Sequence, residues 1–280
     1  DRSVPTRVPW LADKGAWDIT CGSSACCALV AGSVACWGAN WYSQLGLGHT
    51  RDVGGTPATA NLCVAIVPGL TAVRPVQLLG GPVTNATDAA GSMLAASNHT
   101  CSVRPNSATL CWGSNNKKQV RSAAGDVLLP AWQFDGASSV ATGGQHSCVV
   151  AAAAAFCWGS NSVGQLGRSS SFIEIASEEA EAVGLGVGVL SVVAGMVHTC
   201  ALLVDGRVAC WGGNERGQLG VEAAASRGSG ASDFSPLVVA PLGSTRIVVE
   251  LSAGDYHTCA RFSSGVVRCW GANGEGQAGV

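Results

Sequence analysis

Apolar and polar residues alternate on either side of Asp205-Gly206 in the stretch "HTCALLVDGRVACWGGNERGQLG", His198 to Gly220. Alternation with a period of two about an Asp-Gly pair predicts two short strands joined by a tight turn, a β-hairpin. In an antiparallel ladder Cys200 and Cys210 fall nearly opposite each other, at a separation that a disulfide tolerates. Trp211 adds a large apolar surface at the end of the second strand, and Gly212 and Gly213 let the backbone turn away without a side-chain clash.

The same package occurs five times. The other copies are "CCALVAGSVACWGANWYSQLG" from Cys26, "NHTCSVRPNSATLCWGSN" from Asn98, "QHSCVVAAAAAFCWGSNSVGQLG" from Gln145 and "YHTCARFSSGVVRCWGANGEGQAG" from Tyr256. Self-similarity at a period of roughly fifty residues is the mark of a repeat architecture. Between hairpins, apolar phrases opened by Pro-Val or an equivalent ("RPVQLLGG" at Arg74, "SPLVVAPLG" at Ser235) and others that lead into Gly-x-x-His ("VVAGMVHTC" at Val192, "VELSAGDYHTC" at Val249) raise the count to four short strands per unit. A four-stranded sheet repeated in this way cannot hide both faces alone, and radial stacking buries them. The predicted fold is all-β: a β-propeller of five four-stranded units in a single domain, 1–280, with an inserted loop at about 49–73.

Thirteen cysteines follow the same frame. Ten form the hairpin pairs Cys27/Cys36, Cys101/Cys111, Cys148/Cys157, Cys200/Cys210 and Cys259/Cys269. Zinc would want short Cys knuckles gathered in fours, whereas each pair here is separated by a whole hairpin, so the spacing favours disulfides and an oxidising, extracellular compartment. A nine-residue separation suits a two-residue loop; ten requires an extra loop residue or a bulge. Cys21, Cys26 and Cys63 remain as an extra set, in which a bridge from Cys63 to Cys21 or Cys26 would pin the inserted loop. The odd count implies a free thiol, an intermolecular bond or a partner outside the segment.

With 47% hydrophobic and 12% charged residues the chain has ample material for a core, and its 38 glycines gather at repeat junctions. With a net charge of −2 and no Lys/Arg block beyond "NKK" at Asn116 to Lys118, a nucleic-acid partner finds no electrostatic footprint. No apolar run is long enough to span a bilayer, and "DRSVPTRVPW" has no signal-peptide core. Secretion then requires a leader removed ahead of Asp1 or a longer protein of which this is a segment.

The phrase GxxHTCAL…DGxVxCWGxNxxGQLG resembles the repeat of the regulator of chromosome condensation family, in the cysteine-containing extracellular form similar to crinkly-type receptor kinase ectodomains. The resemblance implies a propeller, and spans nearly the whole chain outside 49–73. It says little of function, because this fold hosts many. Better known members resemble seven-bladed rings. Five units here mean either that a five-bladed ring closes, with "RVPWLADKGAWDITCG" supplying strands before the first hairpin, or that the chain is part of something larger. The second unit carries "NNKKQVRS" in place of GQLG, which predicts an irregular junction, and the first has Ala25 at the histidine position.

His99, His146, His198 and His257 recur at equivalent positions. A ring of imidazoles could bind metal or move protons, but a repeat-position histidine more simply satisfies a backbone group in its own blade, and radial symmetry would spread the four apart. No metal, cofactor or catalytic residue is therefore assigned. The GQLG runs lack the Lys-Ser/Thr of a phosphate loop and read as turns, with Leu166 and Leu219 buried between blades. Trp37, Trp112, Trp158, Trp211 and Trp270 read as core residues, and "EIASEEAEA" from Glu174 as a solvated acidic loop.

Asn85-Ala-Thr and Asn98-His-Thr are N-glycosylation acceptor triplets, and Asn61-Leu-Cys63 is a weaker one. Together these features predict a non-enzymatic extracellular or cell-surface glycoprotein module carrying N-linked glycans. It would be structural or adhesive, a unit of a filament, wall or appendage, and its partner would be a protein, either itself or another extracellular one. The alternative is a ligand-binding propeller, a receptor ectodomain or secreted inhibitor, using one face and the 49–73 loop.

Overall fold

A computed structural model describes residues 16–21, 24–30, 33–47, 49–53, 65–66, 93–96, 99–103, 108–120, 129–133, 137–168, 174–175, 180–221, 237–238 and 247–279. They form five antiparallel sheets in chain order, one per repeat. Unit 1 comprises β1 (Ala16–Cys21), β2 (Ala25–Val30), β3 (Ser33–Gly38) and β4 (Ala65–Ile66). Unit 2 comprises β5 (Met93–Ala96), β6 (His99–Val103), β7 (Ala108–Gly113) and β8 (Leu129–Gln133). Unit 3 comprises β9 (Ser139–Thr142), β10 (His146–Ala151), β11 (Ala154–Ser160) and β12 (Glu174–Ile175). Unit 4 comprises β13 (Val189–Ala194), β14 (His198–Leu203), β15 (Val208–Gly212) and β16 (Leu237–Val238). Unit 5 comprises β17 (Val248–Ala253), β18 (His257–Phe262) and β19 (Val267–Gly271).

The register of each hairpin places its cysteines directly opposite: Cys27 and Cys36, Cys101 and Cys111, Cys148 and Cys157, Cys200 and Cys210, Cys259 and Cys269. All five pairs are bridged. Loop lengths obey the register. Cys148 and Cys157, nine apart, leave the two-residue loop Ala152-Ala153, with both residues at positive φ (47° and 59°). Cys200 and Cys210, ten apart, accommodate the extra residue by placing Gly206 at φ 79°, its N–H donating to Leu203 O.

Several expectations are corrected. Cys21 pairs with Cys26 across β1 and β2, where the two are register partners, so neither is left for Cys63. Cys26 and Cys27 are adjacent in a strand and project to opposite faces, which lets each close its own bridge. Cys63 itself lies outside the described residues, as do Asn61, Asn85, Asn98 and "RPVQLLGG". The Pro-opened phrase at Ser235 serves the hairpin before it, not the one after: Leu237 pairs with Cys210, forming the outer strand β16. The stretch expected as an inserted loop likewise holds an outer strand, β4, paired with β3. Glu174-Ile175 is strand β12 and not part of a solvated loop, because Ile175 is buried and Gly159 and Ser160 offer an open ladder edge.

Each core lies between sheets, not within one. The cysteine face of one unit packs on the tryptophan face of the next: Cys101, Val103 and Cys111 meet Val140, Val149 and Trp158, Cys148, Val150, Cys157 and Leu166 meet Val192, Ala201 and Trp211, and Cys200, Leu202, Val208 and Leu219 meet Leu251, Ala260 and Phe262. Burial of such faces is the main favourable term for the fold. Among the described residues, the extensive contacts between sheets join consecutive units only.

Candidate functional site

The junctions between blades hold most of the buried polar chemistry. Each begins as a turn that the sequence builds for itself. In unit 4, Asn214 Oδ1 accepts the N–H of Leu219 at 2.9 Å, and Gln218 Oε1 accepts the N–H of Arg216 at 2.9 Å. Unit 3 repeats the device with Asn161 and Gln165, unit 1 with Asn40 and Gln44, and unit 5 with Asn273 and Gln277. Unit 2 does so too, through Asn115 and Gln119. The junction expected to be irregular is therefore regular: Lys118 takes φ 59° where Gly164 and Gly217 take 84° and 76°, and Val120 fills the leucine position.

With its side chain folded back, each glutamine presents its main-chain carbonyl to the next unit. That oxygen accepts two hydrogen bonds, one from the following tryptophan and one from the following hydroxyl. Gln44 O receives Trp112 Nε1 and Thr100 Oγ1, both at 2.9 Å. Gln119 O receives Trp158 and Ser147, Gln165 O receives Trp211 and Thr199, and Gln218 O receives Trp270 and Thr258. A carbonyl has two lone pairs, and both are used.

The histidines complete the joint. His99 Nε2 lies 2.8 Å from Ser147 Oγ, His146 Nε2 2.8 Å from Thr199 Oγ1, and His198 Nε2 3.0 Å from Thr258 Oγ1. Because each hydroxyl spends its proton on a glutamine carbonyl, it can only accept from the imidazole. His99, His146 and His198 are thus neutral Nε2–H tautomers, with buried Nδ1 lone pairs that find no partner. Burial lowers the pKa of His99 to about 4, of His146 to about 3 and of His198 to about 4, with His99 and His198 adding to the effect on His146. The expectation that each histidine serves its own blade, far from its counterparts, is corrected: it bonds to the next blade, and successive imidazoles are close enough to feel one another's charge. Space for the rings comes from glycine. A Cβ on Gly195 would collide with the His198 ring and come within 2.5 Å of Gly254 O.

Among the described residues, no group of three or more His, Cys, Asp or Glu side chains is disposed to hold a metal ion, and no helix is long and apolar enough to cross a membrane. Leu166 and Leu219 are buried at the joints, as their place in GQLG predicts. What sequence reasoning missed are the hydroxyls of Thr100, Ser147, Thr199 and Thr258; the signal was the Ser or Thr between each histidine and its cysteine. Trp41 and Tyr42, on the turn of unit 1, are 68% and 47% exposed, and the N–H of Asn40, which precedes them, donates to Asp52 Oδ1 at 2.8 Å.

The model of the regulator of chromosome condensation (RCC1) repeat matches residues 189–218 and 248–277, and a second model of the repeat matches 205–261. The matched segments fall on units 4 and 5. The chain is 28% identical over 278 residues to the ultraviolet-B receptor UVR8 of Arabidopsis thaliana, covering 94% of this chain and 54% of that one. The RCC1-type propeller fold is shared with human WBSCR16 (TM-score 0.69, 19% identity, 92% of this chain and 63% of that one) and with the ectodomain of the Physcomitrella patens receptor kinase CR4 (TM-score 0.52, 20% identity, 96% and 53%). This chain thus spans a little over half the length of each of these proteins.

Proposed function

We propose that the chain is a non-enzymatic, extracellular RCC1-type propeller module, 1–280, that acts by binding protein, first of all as a self-associating structural or adhesive unit of a filament, wall or appendage. The observation that carries this reading is the use to which the reactive side chains are put. Twelve cysteines are consumed in six bridges, and His99, His146 and His198 are spent as neutral donors inside the joints, leaving rigid surfaces as the means of action. A bridge in every hairpin supports an oxidising compartment, and glycosylation at Asn85 and Asn98 would accord with it. The test is sedimentation velocity and negative-stain microscopy of protein produced by secretion from a eukaryotic host. Concentration-dependent assembly supports the reading, and a strict monomer at every concentration refutes self-association.

A second reading, a ligand-binding ectodomain or inhibitor, is favoured by Trp41 and Tyr42. Exposed aromatics on a loop held by a rigid scaffold are a common binding element. Capture of a defined ligand that is lost in Trp41→Ala would support it.

A further inference from the structure

The hairpin tip of unit 4 carries a group absent from the other described tips. Unit 3 turns through Ala152-Ala153 and unit 5 through Ser264-Gly265, whereas unit 4 turns through Asp205-Gly206 and so places a carboxylate at its tip. An aspartate followed by glycine is chemically weak. Glycine has no side chain to obstruct the approach, so its amide nitrogen can attack the aspartate Cγ and close a cyclic imide. The attack requires a neutral carboxylic acid, whose hydroxyl leaves as water, and an amide N–H free to give up its proton.

The fold withholds both. Asp205 Oδ1 accepts the Arg207 N–H at 3.1 Å, and Oδ2 accepts from the Arg207 guanidinium at 2.7 Å (Nε) and 2.6 Å (Nη2). Donors of this kind favour the anion, and the side-chain bond from Arg207 is the main cause that holds the carboxyl below its ordinary value of 3.8. The Gly206 N–H is given to Leu203 O at 2.9 Å, and Leu203 N–H in turn is given to Arg207 O at 2.9 Å, so the nitrogen is tied into the closing turn of the hairpin. Asp205 itself is exposed, which leaves water at hand for hydrolysis.

We propose that Asp205-Gly206 is a modification site at which isoaspartate forms without an enzyme, and that Arg207 is the residue that keeps it closed. The Gly206 N–Cγ bond forms as the Asp205 Cγ–OH bond breaks, and the amide proton departs with the hydroxyl as water. Water then adds to one of the two imide carbonyls. Opening at Cγ restores aspartate, and opening at the former backbone carbonyl routes the chain through the side chain as isoaspartate. The net change is an isomerisation that consumes no co-reactant. Its effect reaches the next unit: Gly206 O accepts the Val248 N–H at 3.2 Å, and a Cβ on Gly206 would come within 2.5 Å of Ile247 Cγ2, so a backbone lengthened by one methylene just ahead of Gly206 disturbs a contact between units 4 and 5.

The test is ageing of the folded protein at neutral pH and physiological temperature, followed by peptide mapping in which isoaspartate is resolved by chromatography and mass spectrometry. Asp135-Gly136, the second such pair in the sequence, is the internal reference. Arg207→Ala should raise the rate at Asp205 about two- to five-fold, the scale that an exposed ion pair can supply, and leave the rate at Asp135 unchanged. Arg207→Lys, which keeps the charge and loses the fork, should fall between. Wild type that is reduced and unfolded in urea should isomerise at Asp205 at least as fast as folded Arg207→Ala. An unchanged rate at Asp205 in Arg207→Ala overturns the inference, and so does an equal rise at Asp135, which marks general loosening in place of a lost guard. Folded wild type that isomerises at Asp205 as fast as the unfolded chain overturns it too.

Discussion

His146 and Thr199 face each other across the joint between units 3 and 4, imidazole Nε2 2.8 Å from hydroxyl Oγ1, and the direction of that bond fixes the imidazole as neutral. Thr199 already donates to Gln165 O, so Thr199→Val strands both the His146 N–H and half of the carbonyl's capacity in a buried place. The expected loss is about 1 to 3 kcal/mol in urea unfolding, with Thr199→Ser recovering most of it. A Val variant as stable as the parent would contradict the bond assignment.

Acid should loosen three of the four joints at once, those between units 2 and 3, 3 and 4, and 4 and 5. His99, His146 and His198 have folded-state values of about 4, 3 and 4, below the ordinary 6.5. Their contribution is fully present above pH 6.5 and is lost as the pH falls through 6.5 towards 4 and 3. Between about pH 6 and 5 the unfolded chain binds roughly two to three more protons than the folded one at these sites, a slope of about 3 to 4 kcal/mol per pH unit. Urea titrations at several pH values measure it, and a flat profile would mean that the imidazoles are solvated.

Gly195→Ala should cost about 3 kcal/mol, the upper end of overpacking. The added methyl meets the His198 ring and the Gly254 carbonyl, and the latter is backbone of the next unit and cannot step aside. Thermal unfolding reads the loss.

The bridges should differ in their resistance to reductant. Cys27, Cys36, Cys148, Cys157, Cys200 and Cys210 are sealed between blades, whereas Cys21 is exposed. Under mild reduction of the native protein, Cys21–Cys26 should open first, and alkylation with mass mapping shows the order. Opening of Cys200–Cys210 ahead of it would contradict the inter-blade packing.

One hairpin can be improved. Ala152 and Ala153 hold positive φ without being glycine or asparagine. Replacing them by Asn-Gly should raise stability by about 1 kcal/mol or more, seen as a higher denaturant midpoint.

The hairpins, their bridges and the blade order were legible in the sequence because they rest on local period-two patterns and on spacings of nine or ten residues. Joint chemistry was much less so. Thr199 is a single small residue between a histidine and a cysteine, and its partner is the carbonyl of Gln165, a group every residue possesses and no letter of the sequence marks. His146 therefore read as serving its own blade, when its partner lies in the next one. The Cys21–Cys26 bridge was hidden for a different reason: spacing alone leaves Cys63 open to either Cys21 or Cys26, while strand register sets Cys21 opposite Cys26.

The acceptor at each joint belongs to the peptide backbone of Gln44, Gln119, Gln165 or Gln218. A point mutation can change the side chain above it but cannot delete the oxygen. A duplicated or transplanted blade arrives with its own socket and its own plug, needing no matched change in its neighbour. That interchangeability lets such an array gain or lose members by recombination, and lets turn tips as unlike as Trp41-Tyr42 and Glu215-Arg216 diverge above an unaltered coupling.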